Sequence, residues 1–191
     1  MRTQLSYVHG ASDVPLIGET IGMHFDKMAA RFADREAIVS RHQNIRWTYG
    51  EFRHYVDNLA AGLRRLGFKP GDRVGIWSQN CAEWALVQFA TAKTGIILVN
   101  INPAYRRSEL EYALNKVGCA GLILSPRFKS SDYLAILQEL APELKKSQPG
   151  HLRAAQLPTL RTVIRLGDEQ TPGMFNFKEL ITEANKTELN E

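Results

Sequence analysis

The chain has 191 residues, 44% of them apolar and 23% charged, with a formal net charge of +4. A chain of that size buries roughly two thirds of its unfolded surface, so a core is expected. The cations fall in scattered pairs (Arg64-Arg65, Arg106-Arg107, Lys145-Lys146) rather than runs, which excludes a basic nucleic-acid arm.

Residues 1–19 carry Gly10, Pro15 and Gly18 with little periodicity and read as an extended lead-in. From Thr20 to Phe32, Ile21, Phe25, Met28 and Phe32 recur at helical spacing. Glu36–Ser40 and Asn44–Thr48 read as two short strands around a polar turn. Thr48-Tyr49-Gly50-Glu51 fits a capping box, in which hydroxyl and carboxylate satisfy each other's backbone amides. The helix that follows carries Phe52, Tyr55, Leu59, Leu63 and Leu66 on one stripe and stops at Gly67.

The pattern then repeats. Pro70-Gly71-Asp72 turns the chain into a strand over 73–77. Asn80-x-x-Glu83 opens a helix over 81–93 with almost no polar face, so burial on most sides is expected. Gly95 ends it, and a continuous apolar strand over 96–100 follows, as a parallel strand covered on both faces requires. Ser108-x-x-Glu111 opens a third helix, closed by Gly118. A strand over 120–124 and a helix over 131–140 come next. The Pro- and Gly-bearing stretch from Glu143 to Leu160 reads as a loop or a surface excursion. Thr162–Leu166 reads as a further strand, and only Phe175–Ile181 looks packable beyond Gly167.

Strands alternating with capped, Gly-stopped helices predict successive right-handed βαβ units. The expected fold class is α/β, a mainly parallel sheet with helices on both faces. The expected organisation is a lead-in (1–19), an α/β subdomain (20–166) and a partly ordered tail (167–191).

Chemistry is sparse. No G-x-x-x-x-G-K-[ST] is present, and no G-x-G-x-x-G follows a strand. Gly18-Glu19-Thr20-Ile21-Gly22 precedes a helix, where an anion could sit, but no strand feeds it and a plain turn is preferred. Ser78, Ser125 and Ser130 lie near strand ends outside any G-x-S-x-G elbow. Asp72 reads as a turn aspartate, His24 and His54 as partly exposed helix residues, and Trp47, Trp77 and Trp84 as core. Arg106 and Arg107 follow a strand's carboxyl end, the usual ligand edge of an open α/β sheet, where arginine could meet phosphate; solvated charges are the plainer reading.

The five histidines never pair at ligand spacing, and the two cysteines, Cys81 and Cys119, form no C-x-x-C, so no metal site is expected. Unpaired cysteines favour a reducing compartment. No apolar run approaches the roughly 20 residues of a membrane span. The amino terminus lacks the features of a signal or transit peptide, so a cytoplasmic location is expected.

Trp47-Thr48-Tyr49-Gly50-Glu51-Phe52, Pro70-Gly71-Asp72-Arg73-Val74, Asn80, and the run from Phe89 to Leu110 resemble, in order and spacing, motifs of the adenylate-forming superfamily. The opening residues, Cys119 and the S-Q-P-G stretch at 147–150 are similar to a narrower group, the medium-chain acyl-CoA ligases and their bacterial relatives. The resemblance implies a two-step reaction: a fatty acid carboxylate and ATP give acyl-AMP, and the CoA thiol displaces AMP. It implies ATP, Mg²⁺ and CoA for a full-length enzyme, none bound to this chain alone.

In the family a T-S-G-T-T-G-x-P-K loop and a far carboxyl-terminal lysine handle the phosphates, and neither stretch occurs here. The expectation is therefore an amino-terminal part of an acyl-CoA synthetase, without catalytic, cofactor-binding or metal residues of its own and inactive alone. The alternatives are a stand-alone scaffold that kept this unit, or a superfamily ligase for an aromatic or amino acid. Without its partner unit the chain is expected to form dimers or to aggregate weakly through the layer around the 81–93 helix and its neighbouring strands.

Overall fold

The computed structural model describes residues 10, 13, 14 and 16–181. Most of the expected lead-in and the end of the expected tail (182–191) lie outside the described residues. Helix α1 (Ile21–Arg31) is followed by strands β1 (Glu36–Ser40) and β2 (Ile45–Thr48), helix α2 (Tyr49–Arg65), strand β3 (Arg73–Trp77), helix α3 (Ala82–Thr94) and strand β4 (Ile97–Asn100). Then come helix α4 (Arg107–Val117), strands β5 (Gly121–Leu124), β6 (Arg127–Phe128) and β7 (Ser131–Asp132), helix α5 (Tyr133–Leu140), strands β8 (Thr162–Arg165) and β9 (Phe175–Asn176), and helix α6 (Phe177–Ile181). The expected hairpin forms as β1–β2, turned by a 3-10 segment and a left-handed Asn44.

Five strands form one parallel sheet in the order β4-β3-β5-β8-β9. Four of them are the strands read from sequence. Alternate residues on these strands point to opposite faces. Val74, Ile76, Ile123 and Ile164 enter one core with α1, α2, α3 and α6. Trp77, Leu122, Leu124 and Val163 enter the other with α4 and α5. Every residue of β5 and β8 is buried, which explains the unbroken apolar spelling of β5 and the Val163-Ile164 centre of β8.

The three Gly stops hold. Gly67, Gly95 and Gly118 all have positive φ, and Gly95 at +71° returns its amide to the Thr91 carbonyl. The three capping boxes hold only in part. At α2 the box is complete: Thr48 Oγ1 accepts from Glu51 N (3.2 Å) and Glu51 Oε2 accepts from Thr48 N (2.8 Å). At α4 the helix begins earlier than expected, with Arg106 as N-cap; Glu109 accepts from the Arg106 amide, and no hydroxyl completes the box. At α3 Cys81 is the N-cap and Asn80 plays no part. The orphan amide of Ala82 instead donates to Gln43 Oε1 (2.8 Å), and Gln43 Nε2 donates to Glu83 Oε2 (2.7 Å).

One further expectation is corrected in part. Residues 147–160 are not a surface excursion: Leu152, Ala154, Leu157 and Leu160 are buried in the α5-side core. Their apolar side chains were hidden in sequence by intervening Pro, Gly and polar residues. No residue of α3 is fully exposed, and eight of its thirteen are half-buried. Its outer side is covered by α1, whose Phe25 ring lies 4.5 Å from that of Phe89. Phe89 is itself only half-buried, a lining residue between α1 and α2 rather than a core centre.

The residues beyond Gly167 add β9 to the sheet and pack α6 beneath α2. A Cβ at Gly62, in α2, would stand 2.4 Å from the Leu180 carbonyl oxygen of α6. Glycine-to-alanine in a helix ordinarily stabilises by about 1 kcal/mol. Here the sign reverses: Gly62→Ala is expected to lose about 1–3 kcal/mol in chemical denaturation, as overpacking does.

Asp72 closes the turn before β3. Burial pushes its carboxyl up, but the Lys69 amide (3.0 Å) and the Arg161 guanidinium (2.7 Å) outweigh that and leave it below the ordinary 3.8. A carboxyl with a depressed folded value stabilises above its unfolded value and loses that contribution as pH falls through the folded one. Asp72→Asn is therefore expected to be less stable than the parent at neutral pH. The two urea midpoints should converge as pH drops below 3.8.

Candidate functional site

The carboxyl ends of β3, β4 and β5 converge on one edge of the sheet, where open α/β folds place ligands. Ser78 follows β3 and Ser125 follows β5; both are buried, with hydroxyl oxygens 2.6 Å apart. Ser78 donates its single proton to the Gln79 carbonyl (2.9 Å), so Ser125 donates to Ser78. No histidine or carboxylate is bonded to either hydroxyl, so the pair ties two strand ends together and activates no nucleophile. Ser130 is exposed and stands apart from the pair.

Beside them, Trp77 stacks on Tyr133 with ring centroids 3.7 Å apart. Trp77 Nε1 donates to the Asn102 carbonyl (3.2 Å) and Tyr133 OH donates to the Pro103 carbonyl (2.6 Å). Asn102 Oδ1 accepts from the Ala104 amide (2.9 Å). The Asn-Pro turn after β4 is thus pinned from two sides by aromatic donors. Burial pushes the Tyr133 phenol up to about 12, so it stays a donor.

Arg106 and Arg107 do reach this edge, on the turn into α4, and both are exposed. Each is already held: Arg106 Nη1 donates to Ser131 Oγ, and Arg107 Nη2 to Gln156 Oε1 (2.9 Å). They brace α4 against the loops before α5 and β8 and form no joint cradle. The Gly18–Gly22 stretch behaves as the plain turn. Thr20 caps α1, and the Glu19 carboxylate occupies the turn, hydrogen-bonded by Lys27 and His24, which lower its pKa in that order. An anion there would face a carboxylate. His54 bonds Asn58 (3.2 Å) and Asp72 pairs with Arg161 (2.7 Å), both away from the serine pair.

Two residues were not singled out in the sequence. Gln43, the remote cap of α3, carries no local signal because its partners lie 39 and 40 positions away. Arg165 ends β8 with its side chain buried, its guanidinium held by the Glu169 carboxylate (2.6 Å) and carbonyl. A charge ending an apolar strand was the available signal.

Among the described residues, no group of three or more His, Cys, Asp or Glu could hold a metal ion. Nor do they form a phosphate cradle, since the edge arginines face neighbouring loops. The donor set therefore does not fit Mg²⁺ or a nucleotide phosphate, and no chemical step is routed through this edge.

Cys81 and Cys119 are free thiols. Burial pushes each up to about 11, so both stay protonated at neutral pH. Both are expected to resist a thiol reagent in the native chain and to react promptly in denaturant, which a spectrophotometric thiol count checks.

Residues 25–185 match the family model described as AMP-binding enzyme. The mouse mitochondrial medium-chain acyl-CoA ligase ACSF2 is 45% identical over 182 residues, covering 95% of this chain and 29% of the relative. YngI of Bacillus subtilis, an acyl-CoA synthetase by name, is 39% identical over 164 residues, covering 86% of this chain and 30% of the relative. A crystal structure of a long-chain-fatty-acid CoA ligase of Rhodopseudomonas palustris superposes with a TM-score of 0.70 at 27% identity, covering 86% of this chain and 37% of that one. The chain spans about a third or less of the length of each. With the family model matched across most of the sequence and the parallel sheet in place, the chain belongs to the AMP-binding enzyme family.

Proposed function

We propose that this chain is the amino-terminal α/β subdomain of an ATP-dependent fatty acyl-CoA synthetase, an acid–thiol ligase. The observation that carries the reading is the 45% identity to a medium-chain acyl-CoA ligase along 95% of the chain, against 29% of that relative. The whole enzyme would join a carboxylate to AMP from ATP and pass the acyl group to CoA. Medium-chain acids are the substrate class favoured by the relative's name. Mg²⁺ belongs to the same reading, as the usual companion of ATP.

In this reading the described residues contribute architecture. The motif at 47–52 caps α2, and the run from Phe89 to Leu110 builds α3, β4 and the pinned Asn-Pro turn. No catalytic, cofactor-binding or metal-binding role is assigned to any of them. The unit is taken to comprise residues 20–166, with β9 and α6 sealing its far edge. A cytoplasmic location is supported by the two free cysteines; the mouse relative is mitochondrial by name, and fractionation of a tagged chain would decide. No described helix is long and apolar enough to cross a membrane.

A second reading, a stand-alone scaffold, draws support from the two closed cores on either side of the sheet. The state of the reading frame beyond Glu191 separates the two. Continuation into a T-S-G-T-T-G-like loop supports the synthetase, and a stop codon supports the scaffold.

The purified 191-residue chain is expected to give no ATP–pyrophosphate exchange with octanoate. Its edge serines lack a base and its arginines lack a phosphate-facing geometry. Measurable exchange would overturn the assignment of the chemistry to other parts of the enzyme.

A further inference from the structure

Among the described residues, one long edge of the sheet is uncovered. β4 is its terminal strand and pairs only with β3. Ile97 and Ile101 donate their amides inward, to Asp72 (2.8 Å) and Ile76 (3.0 Å). By the two-residue period of a strand, Leu98 and Asn100 turn their amides and carbonyls outward. Ile97 is 50% exposed on this edge. Natural proteins usually blunt such an edge with charge, proline or a covering element; Ile97–Asn100 contains no charge and no proline.

Alongside β4 runs an apolar groove of about 440 Å³, between the strand and the outer flank of α4. Val99 forms its floor, and Tyr112 and Val117 stand on its wall, Tyr112 66% exposed. Its two ends carry opposite charge: Glu109 lies three residues before Tyr112 and Lys116 four residues after it, on the same flank. Both are exposed, and neither is in an ion pair among the described residues. Glu109 gives one oxygen to its helix cap and keeps the other.

We infer that this edge is a two-fold interface between copies of the chain, formed by β4 against β4 with α4 antiparallel to α4. The pattern is self-complementary in the way a two-fold axis demands. An axis through Val99 and perpendicular to the sheet sets Leu98 opposite the partner's Asn100 and the reverse. All four outward backbone groups on each copy then find partners. The same axis passes near Tyr112 and brings each Glu109 to the partner's Lys116.

Leu114 of α4 reaches the middle of β3, 3.6 Å from where a Gly75 Cβ would stand. The two α4 helices are then separated by three strand spacings, roughly 14 Å. That exceeds the 8–10 Å of directly packed helices and leaves room for two tyrosines to fill the groove. An unrelated partner would have no reason to match a charge pair arranged symmetrically about one tyrosine. This inference does not rest on the acyl-CoA synthetase reading.

The test uses the 191-residue chain in sedimentation velocity across a wide concentration range. The parent should form dimers. Lys116→Glu alone and Glu109→Lys alone should each weaken dimerisation by about tenfold or more, because like charges then meet twice across the axis. Mixing the two variants should restore dimers, since only the mixed pair brings opposite charges together at both ends. Far-UV circular dichroism confirms that each variant is folded before it is scored. A parent that stays monomeric overturns the inference, whether the groove is empty or serves another segment or protein. Dimers or larger assemblies indifferent to the variants, or a mixture that fails to recover, overturn it too.

Discussion

Everything in this chain hangs on a sheet buried from both sides. β3, β5 and β8 send alternate side chains into two separate apolar cores, and neither core can form without the other face being covered as well. A parallel sheet tolerates no half measure here, because its crossover helices necessarily lie over its faces. Gly75 and Gly121 follow from the same demand for close approach: a Cβ at Gly75 would meet Ile101 at 2.8 Å, and one at Gly121 would meet Phe68 at 2.5 Å. Aromatic and aliphatic side chains lie directly on the backbone of the central strands.

The sequence announced this layering well, because burial on two faces writes itself as unbroken apolar runs and the helices between them end at left-handed glycines. β3, β5 and the middle of β8 were legible for that reason; β4 carries the same spelling although it is the edge strand, with Ile97 and Asn100 exposed rather than covered on both faces as expected. Helix starts were less so. The N-x-x-E and S-x-x-E spellings at the starts of α3 and α4 mimic a capping box, yet Gln43 serves α3, and Glu109 rather than Glu111 serves α4. A local pattern cannot reveal a cap donated across 39 positions. Leu152, Ala154, Leu157 and Leu160 were missed for a different cause: an irregular segment can be fully packed without any periodicity to betray it.

The candidate site was legible as a place, the carboxyl ends of the strands, more than as a set of contacts. The edge of the sheet gathers the residues that the ligand-edge rule singles out, and each is committed to a neighbour: serine to serine, arginine to serine or glutamine, tryptophan and tyrosine to the Asn-Pro turn. That pattern stiffens a ligand-facing rim. The chain belongs to the AMP-binding enzyme family, and its curated relatives are about three times longer.

The remote cap at α3 has a kinetic meaning. Gln43 sits in the turn between β1 and β2, and its side chain answers the first amide of a helix that begins after two strands and a helix have intervened. Closing that loop costs entropy that local helix formation never meets. The amino end of α3 therefore stays frayed until the hairpin docks, and the two must arrive together. Hydrogen exchange at the Ala82 amide becomes a clock for hairpin docking: protected only when the distant turn is home, and released whenever it lifts, long before the sheet itself gives way.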